Sequence, residues 1–130
     1  MGSYKDLLAW QKSIALAKTV YQLTADYPSD ERFGLVNQMR RCSVSIPSNI
    51  AEGYGRGTDN ELVHFLYISL GSSNELDTQL TISFELSFID KEKYKEIEQL
   101  NHEVNKMLSS LIYRSCLLYT SPSPRDRSLS

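Results

Sequence analysis

The sequence is poor in the residues from which staples and metal sites are usually built. Its 130 residues include two cysteines, far apart at Cys42 and Cys116. Two thiols so placed make no disulfide framework and fit a reducing cytoplasm. The two histidines, His64 and His102, each lack a second His or Cys three or four residues away. Glu61 and His64 form one Glu-x-x-His pair, whereas carboxylate-bridged metal bundles carry that pair on two helices. No metal and no cofactor is expected. No apolar run reaches the roughly 20 residues that span a bilayer, so no membrane partner is expected. The first residues lack a signal-peptide core, and Asp6 stands where a myristoylation motif needs Ser or Thr. A cytoplasmic location follows as an expectation. Excess positive charge is also missing. Fourteen Lys and Arg against sixteen Asp and Glu leave a net −2, so the whole molecule is no electrostatic sponge for nucleic acid.

What is present is helical periodicity. The length suits one domain, and 41% hydrophobic residues suffice for one core. In residues 4–27, Leu7, Trp10, Ile14, Ala17, Tyr21 and Thr24 alternate steps of three and four. That period of 3.5 is the seam of a left-handed bundle. Leu8, Leu16, Val20 and Leu23 widen the stripe, as a bundle or an oligomer requires. Trp10 reads as a core or interface anchor before a ligand platform. Pro28 stops this helix, and Ser29 is expected to cap the next.

Residues 31–56 organise the rest. Leu35, Met39, Cys42, Ile46, Ile50 and Gly53 share one face of a helix. Beside them Gln38, Arg41, Ser45, Asn49, Glu52 and Arg56 form a wholly polar row. The alternatives for this row are a solvated face with one Glu52–Arg56 pair, or a face that meets a subunit or ligand by directional hydrogen bonds. Pro47 removes one helical hydrogen bond at a cost of about 3 kcal/mol. The apolar steps keep phase across it, so a kink is expected and not a break. Gly53, Gly55 and Gly57 are expected to end the helix. They make no phosphate loop, because no strand precedes them and no Lys-Ser/Thr follows.

Thr58 and Glu61 fit a capping box opening a third helix to about residue 86. Its buried row is Leu62, Phe65, Ser69, Ser72, Leu76, Leu80 and Ser83, flanked by Leu66, Ser73 and Gln79. The small residues around Gly71 suggest close approach of a neighbouring helix, in preference to a serine nucleophile, for which no base is positioned. Residues 87–90 turn, and Asp90 caps a fourth helix with core stripe Tyr94, Ile97, Leu100, Val104, Met107, Leu108 and Leu111. Residues 116–130 abandon the pattern and carry two prolines. The run from Cys116 to Asp126 resembles the translation of a transposon-based sequencing adapter. The expected division is a bundle domain at 1–115 and a non-native, disordered tail at 116–130.

Four amphipathic stripes with short connections predict an all-α, antiparallel up-and-down four-helix bundle, its second helix kinked at Pro47. The run Gln38-x-Arg40-Arg41 followed by Ser45-Ile46-Pro47-Ser48-Asn49-Ile50-Ala51-Glu52-Gly53 resembles the signature of the bacterial four-helix-bundle proteins, also called 23S ribosomal RNA intervening-sequence proteins. Accessory variability proteins of diversity-generating retroelements share that fold. Trp10, Pro28 with Phe33-Gly34-Leu35, and Phe65-Leu66 with Gly71-Ser72 also fit, over residues 4–114. The resemblance implies a ring-shaped homopentamer, RNA-linked roles in some relatives, and a possible protein partner such as a reverse transcriptase.

No enzymatic site is expected. Cys42 falls on the apolar face and reads as inert. Two functional readings follow. In the first, the chain is an RNA-associated accessory or assembly factor, with Arg40, Arg41 and Arg56 as phosphate contacts. Arg40, off both rows of the helix, is expected to be the arginine least needed for packing. In the second, it is a structural adaptor that binds no nucleic acid. Gln38, Ser45, Asn49 and Glu52 are the expected interface or buried polar positions in either case.

Overall fold

The structure, a computed structural model, describes residues 2–120, with nothing said of the side chains of 118–120. Four helices follow one another: α1 (Leu8–Thr24), α2 (Leu35–Gly55), α3 (Asp59–Glu85) and α4 (Lys91–Thr120), and no strand occurs among the described residues. Each helix packs on its sequence neighbour, and α1 closes the ring against α4. The order is antiparallel. Along α2 and α3 the contacts run oppositely, from Met39 with Ser83 through Cys42 with Ser72 to Ile46 with Ser69. This is the four-helix bundle that the stripes predict.

The core is one cluster. Leu16, Met39, Ile46, Ile50, Leu66, Leu76, Leu80 and Leu108 are fully buried. Each such side chain is worth about 1.5–3 kcal/mol on leaving water, so the stripes carry the fold. The expected apolar row of α2 is buried from Met39 to Gly53, with Leu35 at its half-buried edge. Every member of the α3 row and its flanks is buried except the half-buried Phe65.

The first helix differs from expectation in both extent and phase. Residues 4–6 form a separate 3-10 turn capped by Ser3, and α1 begins at Leu8. Its buried residues are Ala9, Ser13, Leu16, Val20 and Thr24. Of the row read as the seam, Thr24 is buried and Leu7, Trp10 and Ala17 are half-buried, while Ile14 and Tyr21 are exposed. Two polar residues fill seam positions because each bonds its own helix. Ser13 Oγ donates to the Trp10 carbonyl at 2.7 Å, and Thr24 Oγ1 to the Val20 carbonyl at 2.8 Å.

The start of α2 differs too. Residues 29–31 make a 3-10 turn, and Ser29 caps nothing. Instead Glu31 Oε1 accepts the Leu35 N–H at 3.3 Å, four residues on. The helix runs unbroken through Pro47; a bend at that residue stays an expectation. Of the three glycines expected to end the helix, Gly53 and Gly55 lie within it, Gly55 as its last residue. Gly57, at φ +88, takes the left-handed position after the helix. Gly53 is buried where a Cβ would stand 3.0 Å from the Phe65 Cβ and 3.3 Å from the Leu62 carbonyl oxygen. Close approach of α3 therefore happens at Gly53. Gly71, expected to mediate it, faces open space.

Thr58 caps α3 by accepting the Glu61 N–H at 3.2 Å. Asp90 caps α4 by accepting the Lys93 N–H at 2.8 Å. Between them, α3 ends in a paired closure. The Phe88 N–H bonds the Ser83 carbonyl and the Ser87 N–H bonds the Phe84 carbonyl, with Ser87 at φ 65. That is a Schellman motif with serine where glycine is usual. Across α3 and α4, Ser73 Oγ donates to Asn101 Oδ1 and Asn101 Nδ2 donates back to the Ser73 carbonyl. The helix α4 continues past Ser115 to Thr120, and Cys116 packs against the core. The division of the chain at 115 stays an expectation. The rest of the expected tail, 121–130, lies outside the described residues.

Candidate interaction face

The polar row of α2 splits into satisfied and unsatisfied halves. Toward the C-terminal end, Ser45, Asn49, Glu52 and Arg56 spend their hydrogen bonds inside the chain. Asn49 Nδ2 donates to the Ser45 carbonyl at 2.8 Å and to Ser45 Oγ at 2.9 Å. Ser45 Oγ also accepts from Ser72 Oγ at 2.9 Å, which ties the row to α3. Arg56 Nε donates to Glu52 at 2.8 Å, and a second arginine nitrogen lies 3.8 Å from Glu61. The same guanidinium sits 4.9 Å from the Phe65 ring centre. Two carboxylates and an aromatic face therefore already claim Arg56.

Arg40 corrects the sequence reading. It is half-buried, and it is the arginine most engaged in packing. Its Nε donates to Thr24 Oγ1 at 2.9 Å and its Nη2 to the Tyr21 carbonyl at 3.2 Å. The guanidinium lies 4.5 Å from the centre of the Tyr21 ring. Its long stem lets a residue off both rows of its own helix reach the next one.

Gln38 and Arg41 remain. Both are exposed, and neither side chain has a hydrogen-bond or ionic partner among the described residues. They edge an open groove of about 360 Å³ between α2 and α3, whose other wall carries Ser72, Glu75 and Gln79. The two α3 residues were not singled out for a site from the sequence. Glu75 reads as an ordinary surface acid, and Gln79 as a flank of the core row. Gln79 is buried, and its Oε1 has no hydrogen-bond partner among the described residues. At the groove floor Cys42 is buried and donates Sγ–H to the Ser72 carbonyl at 3.2 Å. Burial, and then the nearby Glu75 carboxylate, push its thiol up to about 12. A thiol so held is no nucleophile at neutral pH.

The other chemical candidates are scattered. His64 is exposed and meets the Phe65 ring edge-on at 5.1 Å. His102 is exposed on α4. Among the described residues no group of three His, Cys, Asp or Glu could hold a metal ion. No helix among the described residues is long and apolar enough to cross a membrane. The arrangement offers directional polar contacts and, on the polar row of α2, one guanidinium, that of Arg41, with no partner among the described residues.

A family model described as the 23S rRNA-intervening sequence protein matches residues 5–110. Among solved structures, the chain is similar to a protein of unknown function from the S23 ribosomal protein family of Bacteroides thetaiotaomicron. The two share 26% identity and a TM-score of 0.73, over 81% of this chain and 98% of the other. No curated protein matches.

Proposed function

Since the chain belongs to the 23S rRNA-intervening sequence protein family, we propose that it is a non-enzymatic accessory protein that works as a homo-oligomer and touches RNA weakly. The oligomer is read as the homopentamer that the family resemblance implies, and the location as the cytoplasm. The observation that carries the reading is the pair Gln38 and Arg41, exposed and unpartnered on a helix whose other polar-row members are satisfied. Arg41 is the phosphate contact. Arg40 and Arg56 are removed from that role by their intramolecular partners. One arginine per copy binds little, but copies in one assembly add through multivalency. The net charge of −2 opposes the approach of RNA at long range, so contact is confined to short range and low salt.

The test is binding of a single-stranded RNA to the assembled protein across a salt series. Arg41→Glu should weaken binding and flatten its salt dependence, because each phosphate contact adds about 0.7 to the slope. Oligomer mass should not change with that loss. An assembled wild type that binds no RNA at low salt would instead support the adaptor reading. The commitment of Arg40 and Arg56 within the chain already favours that reading as the second one.

A further inference from the structure

The helix α1 carries two apolar stripes, and the bundle uses one. Ala9, Leu16 and Val20 are buried. The other stripe, Trp10, Ile14, Ala17 and Tyr21, keeps the 3.5-residue period of a helix–helix seam. Ile14 is 42% exposed and Tyr21 43%, while Trp10 and Ala17 are half-buried. A heptad-spaced stripe thus runs along the edge of the bundle, with Ile14 and Tyr21 outward and Trp10 resting against the core.

The helix α3 has an outer stripe of its own. Ile68, Glu75 and Ile82 stand seven residues apart, a spacing that keeps them on one face with a drift of about 20° per heptad. Ile68 is 38% exposed, Ile82 44%, and Glu75 is exposed. The two stripes differ in charge. Lys18 adjoins the α1 stripe and Arg40 lies over Tyr21 within it, whereas Glu75 is the centre of the α3 stripe. Neither Lys18 nor Glu75 has an ion-pair partner among the described residues.

We propose that the outer stripe of α1 on one copy packs against the outer stripe of α3 on the next, with Lys18 facing Glu75 of the neighbouring copy. The proposal rests on the self-assembly reading above and names its surface. Both stripes keep heptad spacing, and Ile68 and Ile82 offer an apolar knob on either side of Glu75. The cation beside one stripe and the carboxylate within the other complement across the contact. Because the two faces are unlike, the contact is heterologous: it generates a ring if the rotation closes.

Two exposed-site variants test this by sedimentation, with circular dichroism as the check on folding. Ile14→Glu blocks the α1 face and Ile82→Lys the α3 face. Each alone should run as a monomer, and an equimolar mixture should form a dimer, because each variant keeps the face that the other lacks. Lys18→Glu and Glu75→Lys should each raise the dissociation constant about tenfold, and the two together in one chain should restore assembly. These charge variants keep the test alive if an isoleucine variant fails to fold. Assembled variants of wild-type mass, or Ile82→Lys pairing with itself, would overturn the proposed surface and leave the assembly reading standing. A wild type that stays monomeric would overturn both.

Discussion

Arg40 Nε sits 2.9 Å from Thr24 Oγ1, so a cation of α2 and a buried hydroxyl of α1 hold the first two helices together. The carbonyl of Tyr21 and its ring complete the site. Arg40→Ala should lower stability by about 1–3 kcal/mol, the range for losing charged-group hydrogen bonds. Arg40→Lys should not rescue it fully, because an ammonium cannot bond two acceptors in that fixed fork. Thermal or urea unfolding reads both. An Arg40→Ala protein as stable as the wild type would mean that this contact only decorates the helix pair.

Two glycines should respond to alanine with opposite signs. At Gly71 a Cβ meets open space, so Gly71→Ala should stabilise by up to about 1 kcal/mol through helix propensity. At Gly53 the same change pushes a methyl against the Phe65 Cβ at 3.0 Å and the Leu62 carbonyl oxygen at 3.3 Å. Neither atom is the loose end of a flexible chain, so Gly53→Ala should destabilise despite the same propensity gain. Denaturant midpoints of the two variants make the comparison.

Ser87 holds φ 65 where its N–H and that of Phe88 close the end of α3. A side chain is strained there and glycine is not. Ser87→Gly should raise stability by about 0.5–1 kcal/mol, the left-handed penalty less the added freedom of the unfolded chain. An unchanged or lowered thermal midpoint would contradict that account of the turn.

Cys42 should be inert in the native protein. Its thiol is pushed from an ordinary 9.0 to about 12, first by burial and then by Glu75. In a Cys116→Ser background, a disulfide reagent at pH 8 should modify it only on unfolding. The sign for stability follows from the same shift. Between about pH 9 and pH 12 the unfolded thiol gives up its proton and the folded one keeps it. The contribution of Cys42 is therefore present below that window and is lost as pH rises through it.

The second helix was legible because it has one apolar row and one polar row, and the third because Leu62, Leu66, Leu76 and Leu80 fall on one face, which fixes its phase despite the outer Ile68 and Ile82. The first helix was not, because it is apolar on two sides. Counting polarity favours Trp10, Ile14 and Tyr21 for the seam. The structure puts Ser13 there, made tolerable by a bond to its own helix that no polarity count reveals. The same ambiguity exposes the stripe from which a second copy's docking surface is inferred. On α2 the polar row was readable as a row. Which members are spent internally was not, since that depends on Ser72, Glu61 and Phe65 of another helix. Arg40 was misjudged because a helical wheel places the backbone position, and the arginine stem carries its charge across to α1.

Sedimentation equilibrium of the wild-type chain at micromolar concentration tests the central claim, self-assembly, most directly. The account predicts a single species at five times the 14.8 kDa chain mass. A stable species at the mass of one chain over that range would contradict it.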